Sequence, residues 1–227
     1  MPATSLTQMA RGAGALYLLI IVLGLTAEVG LRGGLLVPGD AMATGAAIAA
    51  GAQKLRLAIA SDAVMALADV GLAVLLYRLL KDFGPTLALG ATAFRLVQAA
   101  VIGASLPLLF AATVHAGTEA GAPLAAEALA RHGFAYDMGL LFFGVNSVLT
   151  GLLIARTGRV GRTLGPLLIA AGAVYLAGSF LRILAPGAAE AFAPAYGICV
   201  ISETAVCVWL LSGGAWRGQR SSGLAAA

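Results

Sequence analysis

The sequence predicts an all-α integral membrane protein, a bundle of six transmembrane helices with two short helices on its outer face. Hydrophobic residues make up 60% of the 227 residues, charged residues make up 11%, and the mean hydropathy is +0.96. Apolar segments of about 20 residues, the length that crosses the hydrocarbon core as a helix, occur six times. Because these segments do not alternate like the strands of a membrane barrel, we expect them to satisfy their backbone groups as helices.

The predicted spans follow one another along the chain and leave no room for a second domain. They cover residues 13–35, 56–80, 86–114, 134–155, 163–184 and 191–212. We expect residues 1–216 to form a single six-helix transmembrane domain. The polar, glycine-rich residues 217–227 are expected to form a disordered cytoplasmic tail.

The two longer connections are predicted on the outer side, and each contains a short predicted helix. In the first, Asp40 follows a Pro-Gly turn and caps a helix over residues 41–53. In the second, a proline near its start opens a helix over residues 123–131, and Gly133 ends it. These helices would either cover the bundle as a lid or lie at the membrane interface, and the interface is the simpler expectation.

The basic residues predict the orientation of the bundle, because an even number of spans leaves both termini on one side. The residues on that side are Arg11, Arg78, Lys81, Arg156, Arg159, Arg162, Arg217 and Arg220, and those on the other side are Arg32, Lys54, Arg56, Arg131 and Arg182. Since basic residues favour the cytoplasmic side, we expect a protein of the cell inner membrane with both termini in the cytoplasm. The basic residues are scattered, so the net charge of +4 does not indicate nucleic-acid binding.

Every predicted span contains an ionisable or amide side chain, which is costly in lipid and is a functional candidate by default. In chain order these residues are Glu28, Asp62, Asp69, Arg95, Gln98, Asp137, Asn146, Arg182 and Glu203. At a rise of about 1.5 Å per residue, Asp69, Asn146 and Glu203 fall near the middle of the membrane. Most of the others fall nearer the outer face, so we expect a polar, water-containing cavity that opens toward the outside.

The chemistry of these side chains suggests their roles. Asp69, Glu203 and Asp62 are the candidate catalytic residues, because a carboxylic acid in a dry pocket can hold a proton at neutral pH. The candidate substrate-binding residues are Glu28, Arg95, Gln98, Asp137, Asn146 and Arg182.

A structural alternative stays open for these residues. Glu28 can pair locally with Arg32, four residues further on. Three residues near span ends can reach the headgroups, and these are Asp62, Asp137 and Arg182. Asp69 and Glu203 can pair with Arg95 in a buried ion network that only fixes the register of the helices.

No motif in the sequence indicates a metal site or a cofactor. It contains no phosphate-binding loop and no zinc-binding helix motif. The two histidines, His115 and His132, fall in the second outer connection. We therefore expect no metal and no cofactor.

Several short pieces of the sequence carry a family resemblance. The two most specific pieces are Val37-Pro38-Gly39-Asp40-Ala41 and Phe94-Arg95-Leu96-Val97-Gln98. Further pieces are Arg11 with Leu16-Tyr17, Ala27-Glu28, Arg56 and Asp62, Asp69-Val70 with Leu76-Tyr77, Tyr136-Asp137, Phe142-Phe143-Gly144, and Arg162 with Leu164-Gly165. Together they resemble an uncharacterised bacterial six-span membrane family, the domain of unknown function DUF4386. The resemblance implies the same fold and implies no activity.

Three functions fit these features, and the sequence favours the first of them. The first is a membrane-embedded enzyme, a cyclase, isomerase or hydrolase, that uses Asp69 or Glu203 for acid/base chemistry on a lipophilic substrate such as an isoprenoid. The second is a carrier or receptor coupled to a proton or cation. Because the sequence shows no inverted repeat and no broken helix, this function suits a homodimer better than a monomer. The third is an accessory membrane protein whose charges are purely structural. The expected partners are the lipid bilayer, a lipophilic small molecule and a second copy of the chain.

Overall fold

The protein is described by a computed structural model that covers residues 3–216, so the predicted tail at residues 217–227 lies outside the described residues. Eight α-helices and no strand occur in this described part. The helices are α1 (Ala3–Leu25), α2 (Ala41–Ala50), α3 (Ala52–Leu80), α4 (Pro85–His115), α5 (Ala122–Ile154), α6 (Gly161–Leu184), α7 (Pro186–Phe192) and α8 (Gly197–Leu211). A π-helical segment, Thr26–Arg32, continues α1.

Six helical stretches of the described chain are long and apolar enough to cross a membrane, which confirms the predicted all-α bundle of six spans. They are Leu6–Arg32, Ala52–Phe83, Pro85–His115, Glu119–Ile154, Gly161–Leu184 and Pro186–Trp216. All six begin before the predicted start, and three of them also extend past the predicted end. The reason is that hydropathy detects the apolar centre of a helix and not the more polar turns that continue it.

The two short helices that the sequence predicts on the outer side have different outcomes. The first forms as α2, and its predicted cap is confirmed, since the Asp40 carboxylate accepts a hydrogen bond of 2.8 Å from the Ala43 amide. The second is helical but is not a separate element, because α5 runs without interruption from Ala122 to Ile154. Gly133 does not end the helix. A single glycine costs a helix only about 1 kcal/mol, and apolar residues continue on both sides of it.

The last span is not one continuous α-helix, contrary to the prediction over residues 191–212. A 3₁₀ segment, Ala193–Tyr196, separates α7 from α8. Pro194 lies in this segment, and its ring nitrogen has no N–H to donate to a helical hydrogen bond. The interruption therefore has a local cause in the sequence, although the apolar pattern continues across it.

The chain forms two compact units, which are described one at a time. Of the described residues, unit 1 comprises 3–18, 68–98 and 140–216, and unit 2 comprises 19–67 and 99–139. In unit 2, α2 is packed rather than loosely attached, because its Ile48 is 0% exposed. Ile48 belongs to an apolar cluster with Leu35, Leu55 and Leu109.

In unit 1, α5 and α6 approach each other through two pairs of glycines. Gly144 faces Gly172, and Gly151 faces Gly165. A Cβ atom on Gly172 would lie 2.7 Å from the carbonyl oxygen of Gly144, which is closer than real Cβ contacts allow. Such close backbone approach is typical of membrane helices, where small residues supply the packing that lipid cannot replace.

We expect Gly172→Ala to lower the free energy of unfolding by about 1–3 kcal/mol, because the new methyl group overpacks this helix contact. Gly103→Ala is the matched control, since a Cβ there has nothing within 4 Å and alanine favours helix by up to about 1 kcal/mol. Thermal unfolding of the purified protein in detergent micelles measures both. Equal melting temperatures for the two variants would contradict the glycine contact.

Candidate functional site

An ion pair between α3 and α4 lies at the centre of the polar cluster in unit 1. Arg95 Nε donates a hydrogen bond of 2.9 Å to Asp69 Oδ1, and Arg95 Nη2 lies 2.7 Å from the same oxygen. Both side chains are buried, since Arg95 is 2% exposed and Asp69 is 1% exposed. The pairing that the sequence suggested for Asp69 and Arg95 is therefore present.

Two amide side chains also form hydrogen bonds with the Asp69–Arg95 pair. Gln98 Nε2 donates to the second Asp69 oxygen, Oδ2, at 3.2 Å. Its spacing of three residues from Arg95 places both side chains on the same face of α4. On the other side, Asn146 of α5 accepts a hydrogen bond of 3.4 Å from Arg95 Nη1, and Asn146 Nδ2 donates to the Ala91 carbonyl at 2.8 Å. The sequence-predicted residues Asp69, Arg95, Gln98 and Asn146 therefore form one network.

Two aromatic rings flank the guanidinium of Arg95. Its central carbon lies 5.3 Å from the centroid of the Tyr17 ring and 5.2 Å from that of Phe143. Cation–π contacts of this kind are strongest where water is excluded. Because a carboxylate, an amide and two rings surround it, the Arg95 guanidinium is committed to partners within the protein. Tyr17 and Phe143 are not among the site residues predicted from the sequence, although both lie in the pieces that carry the family resemblance.

Glu203 of α8 belongs to the same cluster but binds a different partner. Glu203 is 8% exposed, and its Oε1 accepts a hydrogen bond of 2.5 Å from the Tyr175 hydroxyl of α6. Tyr17 is a further side-chain hydrogen-bond partner of Glu203, and Asp69 and Arg95 are its electrostatic neighbours. Unit 1 therefore buries two carboxyl groups and one guanidinium. Asp69 holds the guanidinium directly, and Glu203 is bound to a neutral hydroxyl group.

A small cavity lies beside the Arg95 network. Its polar lining comes from Thr92, Arg95, Asn146 and Thr150, and α3, α4 and α5 supply the apolar lining. Its volume is about 10 Å³, which is the room for about one water molecule. The sequence predicts a polar, water-containing cavity that opens toward the outside, and the cavity beside the Arg95 network has room for about one water. The rings of Tyr17 and Phe143 pack on the guanidinium itself.

Unit 2 contains a second buried ion pair. Arg32, in the π-helical segment, donates to Asp62 of α3 through Nη1 and to Glu28 through Nη2 at 2.7 Å. The two carboxylates differ in burial, since the side chain of Asp62 is 0% exposed and that of Glu28 is 62% exposed. The local pair of Glu28 with Arg32 is confirmed. The alternative that Asp62 reaches the headgroups is wrong, because Arg32 holds its carboxylate inside the protein.

Histidine and serine side chains extend the cluster of unit 2. Ser105 Oγ donates to the Ile102 carbonyl at 2.7 Å and lies 3.0 Å from His132 Nδ1. His132 is 2% exposed, and its ring centroid lies 6.0 Å from that of Tyr136, which also stacks on Arg32. His132 lies inside α5, whereas the sequence predicted it in a connection, because a helix end was predicted at Gly133. The sequence did contain a signal for the longer helix, because the apolar pattern continues on both sides of Gly133.

The two remaining sequence-predicted residues lie elsewhere. Asp137 follows Tyr136 on α5 and is half-buried. Arg182 is exposed in the last turn of α6. Neither residue belongs to the Arg95 network. Within residues 3–216, no group of three or more His, Cys, Asp and Glu side chains is placed to hold a metal ion.

We expect Asp69→Asn to lower the free energy of unfolding by about 3–5 kcal/mol, because it leaves Arg95 buried without a counter-charge. The double variant Asp69→Asn/Arg95→Gln removes both charges and should recover part of this loss. Melting temperatures in detergent micelles give the comparison. A double variant less stable than the single one would show that the charges do not act as a pair.

In unit 2, Asp62→Asn should lower the free energy of unfolding by about 3 kcal/mol or more. Glu28→Gln should change it by less than about 1 kcal/mol, since exposed ion pairs contribute little. Both variants remove a carboxylate that binds Arg32, so each is the control of the other. Equal losses in chemical denaturation would contradict the difference in burial.

Comparison with known proteins agrees with the resemblance noted in the sequence. The family model described as a domain of unknown function, DUF4386, matches residues 12–214. No curated protein and no solved structure matches the chain. The family match includes every residue of both polar clusters, so the six-span bundle and its buried ion pairs lie within the family domain. The chain is a multi-pass membrane protein that belongs to the DUF4386 family.

Proposed function

We propose that this membrane protein is a proton-coupled carrier in which Glu203 takes up and releases the coupling proton. The observation that carries the proposal is the charge count of the cluster in unit 1. The cluster contains two carboxyl groups, those of Asp69 and Glu203, and one guanidinium, that of Arg95. All three side chains are buried.

The charge count favours one bound proton. An unpaired charge is expensive in a medium of low dielectric constant, and such a group binds or loses a proton instead. Asp69 has its counter-charge in Arg95 and a further donor in Gln98. Glu203 has the neutral hydroxyl of Tyr175. The cluster is electrically neutral when Glu203 carries a proton, and Glu203 is therefore the group at which a proton exchanges.

The interruption of the last span supports a carrier. Carriers often have discontinuous helices near their binding sites, where irregular backbone allows one segment to move against another. The 3₁₀ segment between α7 and α8 ends at Tyr196, and the centroid of the Tyr196 ring lies 5.8 Å from that of Tyr175, the partner of Glu203. The sequence showed neither a broken helix nor an inverted repeat, which disfavoured a monomeric carrier, and the interruption of the last span answers the first of these two objections.

The acid/base enzyme remains the second candidate, and the short hydrogen bond between Tyr175 and Glu203 favours it. In that case Glu203 would protonate a lipophilic substrate directly. Such a substrate needs a chamber beside the acid, and the cavity next to Arg95, which has room for about one water, is not lined by Glu203. A carrier in a closed conformation needs no open chamber, so the geometry favours the carrier.

The proposal includes the location and partners of the protein. We infer that it lies in the cell inner membrane with both termini in the cytoplasm, as the bias of basic residues indicates. The short connection between α5 and α6 supports this orientation, because it contains Arg156 and Arg159. A homodimer in the bilayer remains part of the proposal.

Infrared spectroscopy tests whether Glu203 carries the proton. A protonated carboxyl group has a carbonyl band distinct from that of a carboxylate, and the band shifts in heavy water. We expect this band in the purified wild-type protein at neutral pH and its loss in Glu203→Gln. Glu127→Gln is the matched control, because Glu127 is an exposed glutamate paired with Arg131.

Two results would overturn the proposal. One is a wild-type protein without the carbonyl band, and the other is a band that persists unchanged in Glu203→Gln. If Glu203→Gln does not fold, Glu203→Asp is the variant to measure. It retains a carboxyl group, so its carbonyl band should be present at a frequency different from that of the wild type.

A further inference from the structure

We propose that the solute exchanged for this proton is a lipophilic organic cation, which binds to the Glu203 carboxylate after the proton has left. The inference rests on the proposed function, because it requires Glu203 to be the group that carries the proton. It adds the substrate class, which follows from the charge of the cluster and from the side chains that surround Glu203.

The charge of the cluster is complementary to a cation. Once Glu203 has lost its proton, the two carboxylates exceed the single guanidinium by one negative charge. Arg95 is held by Asp69 and Asn146 and lies between two rings, so it offers little to an anionic solute. A bound solute with one positive charge restores the neutral state that the proton provides.

An aromatic row begins at the Glu203 site and consists of Phe143, Tyr175, Tyr196 and Phe192. Successive ring centroids lie 5.1, 5.8 and 6.1 Å apart. The negative faces of aromatic rings attract organic cations, and aromatic cages are the usual recognition device for quaternary ammonium groups. A carboxylate bound to one member of such a row forms both halves of an organic-cation site.

The aromatic row also connects the carboxyl group with the outside of the bundle. Phe143 is 6% exposed, whereas Phe192 is the last residue of α7, a helix with no buried residue. Tyr196 lies against the backbone of α6, because a Cβ atom on Gly178 would clash with its hydroxyl. The row therefore runs from the buried site to the interrupted part of the last span.

The surroundings favour a large organic cation with a delocalised charge over a metal ion. Within the described part of the chain, no three His, Cys, Asp and Glu side chains are placed to hold a metal ion. The row is mostly apolar, and a compact hydrated ion would lose its water there without enough oxygen ligands to replace it. A cation whose charge is spread over apolar groups has much less hydration to lose.

The exchange balances in charge and atoms. The protonated Glu203 carboxyl group loses its proton to solvent, and the cation pairs with the resulting carboxylate, so one proton leaves for each cation bound. The titratable and charged groups that face Glu203 are Tyr17 of α1, Asp69 of α3, Arg95 of α4, Tyr175 of α6 and Cys199 of its own helix. Proton and cation compete for one carboxylate, so binding should weaken as the pH falls.

Calorimetric titration of the full-length protein in detergent micelles with tetraphenylphosphonium tests the inference. We expect one cation per chain and release of about one proton, measured from the heats in two buffers that differ in ionisation enthalpy. Where Glu203 is protonated, the affinity should fall about tenfold for each unit of pH decrease. Glu203→Gln should lose saturable binding, and Tyr196→Leu should weaken it about tenfold. Glu127→Gln should bind like the wild type.

Three results would overturn the inference. They are absence of saturable binding to the wild type, equal binding to Glu203→Gln, and an affinity that does not change with pH. The pH dependence is measured on the wild-type protein alone, so it tests the inference even if a variant fails to fold. If the infrared band depends on Glu203 but tetraphenylphosphonium does not bind, the substrate class is wrong and the proton site stands. If the band does not depend on Glu203, the proposed function itself fails.

Discussion

The buried ion pair of Asp69 and Arg95 is the interaction on which the structure of unit 1 depends. In an interior of low dielectric constant, each of these charges is tolerable only because the other is present. The pair joins α3 to α4, and Asn146 and Tyr17 extend it to α5 and α1. Lipid chains compete with apolar contacts between helices but not with such polar contacts, so the network contributes specificity that apolar packing alone does not supply in a membrane.

The same pair determines what Glu203 can do. Because Arg95 is committed to Asp69, the second carboxyl group of the cluster has a tyrosine hydroxyl as its partner. Two acidic side chains in one cluster thus have different environments, and our proposal that Glu203 exchanges a proton while Asp69 is a fixed counter-charge is based on this difference. Unit 2 offers a contrast, since Arg32 also binds two carboxylates. There the second carboxylate, that of Glu28, is exposed, although it also accepts a hydrogen bond from the buried Arg32.

Several features of the fold were predictable because they depend on local sequence. Six apolar stretches indicate six spans, and the Asp40 cap is confirmed because a cap involves residues only three apart. The polar residues of the site were also predictable, since any charge within a span stands out against apolar neighbours. The continuity of the helices was not predictable from local sequence. Gly133 lies inside α5, and because a helix end was predicted there, His132 was predicted to lie outside the helix.

The sequence by itself determined that this chain is a helical membrane protein and which charged side chains lie within its spans, because length, hydropathy and composition are local properties of the chain. Only the tertiary structure decided that Arg95 pairs with Asp69, that Arg32 pairs with the buried Asp62, and that Tyr175 donates to Glu203. These pairings depend on how each helix is rotated toward its neighbours. That rotation is set by contacts between residues far apart in the chain, such as the paired glycines of α5 and α6.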